Sequence, residues 1–377
     1  MKVAVAMSGG VDSSTTAFLL KSQGCDVIGI SMQMYNALER ANSEYGGCCT
    51  LDDLADARRV AWKLDIPHFV INMESGFHEA VIQPFVKSYL AGTTPSPCVL
   101  CNTHVKFAAL HRKALTFGAE KVATGHYARI TRTADGDLEL RKARDRSKDQ
   151  SYFLFELTQE QLGQSLFPLG DLEKSEVRRL AAEAGLPVAS KKESYEICFV
   201  PRKDGYVEIV EDEARKAASA GSVDAMTLAA SRGETGGEIV DETGKIVGHH
   251  DGYYRFTIGQ RRGLQIGGSS DRTYVIDIDP VTRRVTIGPK ERLERTELVA
   301  ERTHWISGRE PRGPIDVAAR VRSRQADVAA TIESLGDGRS RVTFHAAVRG
   351  VAPGQAVVFY DDDLCLGGGW ILKDGKT

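Results

Sequence analysis

The chain has 377 residues, of which 42% are hydrophobic and 27% are charged, and its formal net charge is −2. This composition is that of an ordinary globular protein with room for two or three domains, and it excludes a globally basic nucleic-acid binder. Lys2 precedes only a few apolar residues before Ser8, and no run approaches the roughly 18 apolar residues of a membrane span. We therefore expect no signal peptide, no membrane association and a reducing, cytoplasmic location.

The first 200 residues alternate short apolar runs with amphipathic stretches. The pattern predicts strands at 3–7, 27–32, 67–72 and 121–124, and helices at 13–23, 51–64 and 107–117. Strands that are separated by helices pair in parallel, so the fold class is predicted as α/β with a doubly wound, mostly parallel sheet. Such sheets bind ligands at the carboxyl ends of their strands.

The rest of the chain has a different pattern. A helical, small-residue-rich stretch is followed by a glycine-rich hairpin, and from about residue 272 short strands alternate with Asp-Pro and Gly-Asp-Gly turns. Regular short strands of this kind predict a small β-barrel. The predicted domains are 1–203 (catalytic), 204–270 (central) and 271–377 (C-terminal β-barrel).

The stretch MSGGVDSS, residues 7–14, lies between the first predicted strand and the first predicted helix. Glycines allow backbone N–H groups to approach an anion, and the helix N-terminus adds a partial positive charge. Asp12 fits an anion site only if it caps the helix or meets a metal ion. The loop is neither a Walker A motif nor a dinucleotide fingerprint, and a tight turn with an N-cap is the competing interpretation. It resembles the pyrophosphate loop of the ATP pyrophosphatases, which cleave ATP to AMP and pyrophosphate.

The cysteines are the next candidates for chemistry. Cys98 and Cys101 lie in TPSPCVLCN, just before a predicted helix, where a thiol has a lowered pKa. Cys198 lies in SYEICFVP, where the α/β pattern ends. These cysteines could instead be buried structural residues or a lone redox pair. Cys25 and Cys365 are expected to be non-catalytic, whereas the pattern does not decide the role of Cys48 and Cys49, which follow Gly46 and Gly47 in a predicted loop.

The whole chain resembles the tRNA-specific 2-thiouridylases, which place sulfur on C2 of the wobble uridine of tRNA. The matching stretches, in family order, are MSGGVDSS, PSPCVLCN, ATGHYARI, KDQSYFLF, SLFPLG, EICFV, FTIGQRRGL, VRSRQ, PGQAVVFY and CLGGGWI. The alanine-rich segment Glu211–Arg232 resembles the family poorly and is interpreted as an insertion. The resemblance implies an adenine nucleotide alpha hydrolase-like sheet, a small central domain and a C-terminal β-barrel that binds tRNA.

The resemblance also implies the site residues. ATP would be bound by Ala6, Met7, Ser8, Gly9, Gly10, Val11, Asp12 and Ser13, with Met32 and Gly125 near the adenine and ribose. The substrate base would lie near Ser96, Pro97 and His126. Further tRNA contacts would be Lys148, Asp149, Gln150, Arg322, Ser323 and Gln355. The implied partners are the anticodon stem-loop of tRNA and a sulfur-carrier protein or cysteine desulfurase relay.

The chemistry implied by the resemblance has two stages. ATP adenylates the C2 oxygen of uridine 34, and Mg²⁺ neutralises the departing pyrophosphate. Cys198 receives a persulfide, whose terminal sulfur displaces AMP. Cys101 either attacks the persulfide, leaving a Cys101–Cys198 disulfide, or assists its release as hydrosulfide.

One position departs from the family, because many members have an aspartate where this chain has Cys98. Three thiolates can hold an iron–sulfur cluster with one open iron, so Cys98, Cys101 and Cys198 are alternative [4Fe-4S] ligands. The same cysteines could hold zinc, or the Cys98 thiol could simply replace the acid/base aspartate. The spacing does not decide between a cluster and a metal-free persulfide route.

Local basic patches are the candidates for RNA contact. The segment Arg141–Gln150 carries five basic residues, and Thr257–Gly263 is a basic glycine turn. The basic segment could equally be an ordinary solvated loop. The alternation of Arg320, Arg322 and Arg324 predicts a strand with three guanidinium groups on one face. The competing functions are an amide-forming ATP pyrophosphatase and a non-catalytic RNA-binding protein. A monomer is expected.

Overall fold

The computed structural model describes residues 1–35, 50–193, 197–200, 205–221, 224–264, 266 and 272–373. Cys48 and Cys49 lie outside the described residues. Among the described helices, none combines the length and the apolar character that a bilayer crossing needs.

The strands and helices are numbered in chain order. The strands are β1 (Lys2–Ala6), β2 (Asp26–Gln33), β3 (His68–Asn72), β4 (Lys121–Ala123), β5 (Ala128–Arg132), β6 (Leu138–Lys142), β7 (Ser165–Leu166), β8 (Gly237–Val240), β9 (Ile246–His250), β10 (Thr273–Asp279), β11 (Arg284–Pro289), β12 (Glu294–Trp305), β13 (Ile315–Arg320), β14 (Val328–Gly336), β15 (Arg339–Arg349), β16 (Ala356–Asp361) and β17 (Leu364–Ile371). The helices are α1 (Val11–Ser22), α2 (Leu51–Lys63), α3 (Glu74–Phe77), α4 (Gln83–Leu90), α5 (Pro97–Leu100), α6 (Leu110–Thr116), α7 (Gln159–Gly163), α8 (Lys174–Glu183), α9 (Gly205–Ser219) and α10 (Ala225–Ser231). Two π-helical segments, His78–Ile82 and Cys101–Ala109, join α3 to α4 and α5 to α6.

The N-terminal domain is built on a parallel sheet with strand order β3-β2-β1-β4-β7. Val3 and Val5 face one hydrophobic cluster and Ala4 faces another, as the two-residue period of a strand requires. Both faces are therefore covered, which is typical of parallel sheets. The predicted α/β class is confirmed, and the four predicted strands correspond to β1 to β4. The short strand β7 was not predicted, because two residues carry no periodic signal.

The strand order reverses next to β1. The chain runs from β1 to β2 and β3 on one side, and β4 then pairs on the other side of β1. The loops that follow β1 and β4 therefore diverge at their carboxyl ends, which is the place where an open α/β sheet forms its ligand crevice.

The central domain has a sheet with order β10-β11-β8-β9, in which β11 pairs in parallel with β8. Strands β10 and β11 were predicted to belong to the C-terminal domain, so the predicted boundary at 270/271 separates strands that share one sheet. The β10–β11 hairpin was predicted from the sequence. Its pairing with β8 was not predicted, because the pair Val285 and Ile239 joins distant parts of the chain. Helix α9, which begins before the proposed insertion Glu211–Arg232 and continues into it, packs on α4, with Tyr206 stacked on Tyr89 at 4.0 Å between ring centroids.

The predicted C-terminal barrel is confirmed. Within the described residues, the order β12-β15-β14-β13-β16-β17 closes through pairing of β12 with β17. The β5–β6 hairpin of the N-terminal domain extends this sheet through β6 and β17. Arg129 and Arg141 of the hairpin both donate to the carboxylate of Asp363. The N-terminal domain and the barrel are thus joined by backbone pairing and by ion pairs.

Candidate nucleotide and thiol site

The loop after β1 has the geometry of an anion site. Gly9 has φ of +70°, and a Cβ there would lie 2.2 Å from the carbonyl oxygen of Asp53. The Ser8 backbone N–H donates to Ser13 Oγ over 3.2 Å, which holds the turn closed. Gly10 is the N-cap of α1 and provides no side-chain acceptor for the first amides of that helix. Those N–H groups and the helix dipole favour a phosphate at the loop.

The loop after β4 packs on the start of α1. A Cβ at Gly125 would lie 2.9 Å from the backbone N of Ser13 and from the carbonyl carbon of Asp12. Only glycine permits this approach of two backbones without displacement. Met32, near the carboxyl end of β2, is buried beside the same sheet. The residues predicted for ATP therefore lie together at the point where the strand order reverses.

Asp12 is held by a lysine and a tyrosine. Lys174 Nζ lies 2.7 and 2.8 Å from the two carboxylate oxygens, and the Tyr127 hydroxyl donates to Oδ1 over 2.8 Å. Burial, and next the charge of Asp12, raise the pKa of Tyr127, so its hydroxyl stays protonated and donates. In the described residues the carboxylate neither caps α1 nor belongs to a group that could hold a metal ion. Sequence reasoning missed Lys174, which is 162 residues away.

A second lysine lies beneath the loop. Lys191 Nζ donates to the carbonyl oxygen of Gly9 over 3.0 Å and binds Asp53 at 2.7 Å and Asp56 at 2.5 Å. Burial opposes the charge on Lys191, but the hydrogen bonds to the two carboxylates outweigh it and raise its pKa. The loop therefore has a permanent cation at its base. No local motif in the sequence marked this residue.

Cys98 and Cys101 lie one turn apart at the start of a long helical stretch. Cys98 is exposed in α5, and Cys101 is buried at the start of the following π-helical segment. Residues three apart on a helix share a face, so both thiols lie on one side of the helix N-terminus. The sequence predicted a loop before a helix here; the helical stretch instead begins at Pro97, so both cysteines lie within its first turns.

Cys198 is half-buried and is anchored by the next residue. The ring of Phe199 meets Phe77 and Phe85 edge-on, with centroids 5.6 and 5.0 Å apart. Cys198 packs against the hydrophobic cluster that contains Cys101. The structure therefore places both predicted catalytic thiols at one core.

The metal-binding and disulfide hypotheses for the cysteines can be compared with this geometry. Over the described ranges, no three His, Cys, Asp or Glu side chains form a group that could hold a metal ion, and no disulfide is present. Cys98, Cys101 and Cys198 as placed do not form the ligand set of a [4Fe-4S] cluster or a zinc ion. Cys365 is buried in the barrel, and burial raises the pKa of its thiol, as expected of an inert cysteine.

The histidine predicted to lie near the substrate base is buried. His126 Nδ1 lies 2.7 Å from Thr124 Oγ1, and its ring contacts Phe107 and Phe167. Burial, and next the charge of Lys106, hold the pKa of His126 well below its usual value, so the ring is neutral at pH 7.

A substitution of His126 is expected to change the pH dependence of stability. The unfolded state binds a proton near pH 6.5, whereas the folded state does not, so the wild-type free energy of unfolding falls as the pH drops below 6.5. His126→Gln removes this contribution, whose slope is at most about 1.4 kcal/mol per pH unit. Urea unfolding of both proteins between pH 5 and 8 measures the difference. Parallel curves would contradict the assignment of a buried neutral imidazole.

The loop before Cys98 is fixed by the barrel. Ser96 and Pro97 are buried at the start of α5. Gln355 Nε2 donates to the carbonyl oxygens of Thr94 and Pro95 over 3.2 and 2.7 Å. Gln355 was predicted as a tRNA contact; here its amide positions the loop that leads to the cysteines.

The segment Arg141–Gln150 differs from a solvated basic loop. Arg141 and Lys142 belong to β6, and Lys142 is buried in an ion pair with Asp327 of the barrel. Lys148 Nζ lies 2.7 Å from Glu193, so it is committed within the protein. Arg141 and Lys142 thus join the N-terminal domain to the barrel, whereas Lys148 pairs within the N-terminal domain and Arg144 and Arg146 are exposed.

The prediction that three arginines share one strand face is wrong. Strand β13 ends at Arg320, and the chain then turns, with the Gln325 N–H donating to the Arg322 carbonyl oxygen over 3.0 Å. Arg320 is directed inward, whereas Arg322 and Arg324 are exposed. We call residues 321–326 the arginine loop. A cleft of about 360 Å³ beside it is lined by Gly259, Tyr274, Lys290, Leu293, Arg322, Arg324, Gln325, Arg349 and Gly350.

The parallel sheet and the MSGGVDSS loop after β1 define an adenine nucleotide alpha hydrolase-like domain, which is joined to two β-domains. Family models match each part: "tRNA methyl transferase HUP domain" over residues 1–202, "tRNA methyl transferase PRC-barrel domain" over 226–289 and "Aminomethyltransferase beta-barrel domain" over 295–371. Curated relatives match nearly the whole length. The chain belongs to the tRNA-specific 2-thiouridylase family.

Three relatives show the extent of this match, and each carries the name tRNA-specific 2-thiouridylase MnmA. The protein of Geotalea uraniireducens is 48% identical, covering 98% of this chain and 94% of the relative. That of Geobacter metallireducens is 48% identical, covering 98% and 96%. That of Clostridium perfringens is 43% identical, covering 98% of both.

Proposed function

We propose that this protein catalyses the ATP-dependent 2-thiolation of uridine 34 in tRNA. The observation that carries the proposal is the placement of the MSGGVDSS loop at the reversal point of a parallel sheet, in a chain whose thiols Cys101 and Cys198 share one core. Family membership over nearly the full length supports it.

The nucleotide loop would activate the uridine. The first amides of α1 would hold the phosphates of ATP while the C2 oxygen attacks the α-phosphorus and pyrophosphate leaves. Lys191 would keep the loop in place through the Gly9 carbonyl oxygen, since its ammonium group is already bound to Asp53 and Asp56. An amide-like oxygen is a poor leaving group, and as AMP it becomes a good one. Mg²⁺ would enter with the nucleotide, because it binds phosphate oxygens with few protein ligands.

The two thiols would complete the sulfur transfer. The terminal sulfur of a persulfide on Cys198 attacks C2 of the uridine, the C–O bond to AMP breaks, and C2 becomes bonded to sulfur. The sulfane sulfur gains two electrons when the Cys101 thiolate attacks the Cys198 sulfur. The thiocarbonyl is then released and a Cys101–Cys198 disulfide remains. A low-molecular-weight thiol or a thiol protein then reduces that disulfide before the next cycle.

The tRNA would lie over the barrel and the α5 loop. The arginine loop, with Lys290 and Arg349 beside it, supplies positive charge in a cleft next to the central domain. The exposed side chains of Arg322 and Arg324 suit contact with phosphate groups. The contacts of Lys148, Asp149 and Gln150 within the protein, by contrast, suit a structural task.

The test is a reconstituted reaction. The protein is incubated with ATP, a tRNA that contains uridine 34, and a cysteine desulfurase with cysteine, and the digested nucleosides are analysed by mass spectrometry. We expect 2-thiouridine at position 34, with one AMP and one pyrophosphate per sulfur, and none with a cytidine-34 tRNA. AMP formation with glutamine and an acid acceptor would support the amide-forming alternative. RNA binding without AMP formation would support the non-catalytic alternative.

A further inference from the structure

The turn formed by Lys148, Asp149 and Gln150 makes contacts in two opposite directions. Lys148 and Gln150 bind residues around the nucleotide loop, whereas Asp149 binds the barrel. Three consecutive residues thus join the two sites that the proposed reaction must bring together.

On the nucleotide side, two chains of contacts end at Asp12. Lys148 binds Glu193 at 2.7 Å, and Glu193 lies 3.1 Å from Lys174, which binds Asp12. Glu193 is also five residues before Cys198, so this chain of ion pairs is close in sequence to the sulfur-carrying cysteine.

The second chain of contacts runs through Tyr127. Gln150 exchanges two hydrogen bonds with the Tyr127 backbone: its Oε1 accepts from that N–H over 2.9 Å, and its own N–H donates to that carbonyl over 2.8 Å. The hydroxyl of Tyr127 then donates to Asp12. The turn is therefore fixed to the nucleotide loop at both of its ends.

On the barrel side, the Asp149 carboxylate is 2% exposed. Its Oδ1 accepts from the N–H groups of Ala143 and Ser151 over 3.1 and 3.2 Å. Its Oδ2 accepts from Ser151 Oγ over 2.9 Å and from Arg320 Nη1 over 3.2 Å. A buried carboxylate with this many donors is held in one position.

Arg320 connects Asp149 to the arginine loop. Its Nε donates to Asp327 over 2.7 Å, and these two residues flank the arginine loop on either side. Lys142 of β6 binds the same Asp327. The base of the loop is thus closed by one ion pair, and each member of that pair is bound by a residue of the catalytic domain.

We propose that Asp149 is a positioning residue, which fixes the arginine loop relative to the nucleotide loop. A tRNA bound at the arginine loop then has its uridine correctly placed against the ATP bound at the nucleotide loop. The inference rests on the proposed function. Asp149 acts through Arg320 and touches neither nucleotide nor reacting base. Its loss should therefore impair the reaction of the ternary complex more than the binding of either ligand alone.

The test compares Asp149→Asn with Asp137→Asn in the full-length protein. Asp137 also joins the β5–β6 hairpin to the barrel, through Arg309, but that ion pair is exposed. We expect Asp149→Asn to lower the single-turnover rate of 2-thiouridine formation about 10- to 100-fold at saturating ATP and tRNA. Affinities for a non-hydrolysable ATP analogue and for tRNA, each measured alone, should change less than about threefold, and Asp137→Asn should match the wild type.

The outcomes separate this inference from the proposed function. A wild type that makes no 2-thiouridine refutes the function. An active wild type with Asp149→Asn equal to Asp137→Asn overturns the positioning role, as does a rate loss fully explained by weaker binding of one ligand. If Asp149→Asn does not fold, Arg320→Lys replaces it, since lysine keeps the charge but loses the planar fork that joins Asp149 to Asp327. A wild-type rate in Arg320→Lys would then overturn the proposal.

Discussion

Cys198→Ser is expected to abolish 2-thiouridine formation, lowering the rate by about 10³-fold or more, while ATP and tRNA bind as in the wild type. A serine oxygen cannot carry a sulfane sulfur, so the persulfide never forms. The nucleotide loop is built by β1, α1 and the loop after β4, and the serine hydroxyl is close in size to the thiol that it replaces. Mass spectrometry of the tRNA nucleosides, beside calorimetry with an ATP analogue, measures both parts of the prediction.

Cys25→Ser is the matched control, because Cys25 is also half-buried and lies outside the thiol site. It should keep wild-type thiolation. Cys101→Ser should also lose turnover, because no thiolate remains to take up the Cys198 sulfur as a disulfide. Full thiolation by Cys198→Ser with a persulfide donor would contradict the role of that cysteine and would require another sulfur carrier.

Local patterns were sufficient to predict the strand, loop and helix that form the candidate nucleotide site. Val3 to Met7 alternate between two cores, the glycines follow at once, and the next apolar residues repeat at helical spacing, so strand, loop and helix are encoded within about twenty residues. Gly125 was implied by the resemblance. Its reason is visible only in the structure, where it packs on Asp12 and Ser13.

The residues and contacts that sequence reasoning failed to predict share one physical cause, which is contact between segments that are distant in the sequence. Lys174 and Lys191 contact the loop from more than 160 positions away, and no spacing in the sequence encodes that approach. Arg320 alternates with Arg322 in the sequence, but the strand ends between them because Arg320 is drawn to Asp149 and Asp327. Burial of a charged residue depends on its partner, and the partner can lie in another domain.

The dependence of burial on a distant partner also explains why some of the predicted basic residues form ion pairs within the protein while others remain exposed. Composition marks Arg141–Gln150 and the arginines of 320–324 alike as RNA-binding candidates. In the structure, Arg141 and Lys142 are used in ion pairs with the barrel, whereas Arg322 and Arg324 remain exposed beside a cleft. A charge run predicts an electrostatic partner, but whether that partner is RNA or the protein itself is decided by the tertiary fold.

Gly9→Ala is expected to raise the KM for ATP, or to lower thiolation at fixed ATP, by about 100-fold. The added Cβ would lie 2.2 Å from the Asp53 carbonyl oxygen and 2.8 Å from its carbonyl carbon. Both atoms are backbone of α2, so a side-chain rotation cannot relieve the clash, and the loop must move away from the phosphates. A shift of about 1 Å in a positioning element is enough for a loss of this size.

Gly24→Ala separates the clash from the backbone strain. Gly24 follows α1 with φ of +82°, and a Cβ there would meet nothing within 4 Å. Both substitutions carry the left-handed penalty of about 1–2 kcal/mol, so both should lower the melting temperature. Only Gly9→Ala should lose nucleotide affinity, measured by calorimetry with an ATP analogue at a temperature where both variants are folded. Equal affinities in the two variants would mean that the phosphates do not bind at this loop, and the ATP site would have to be sought elsewhere along the sheet.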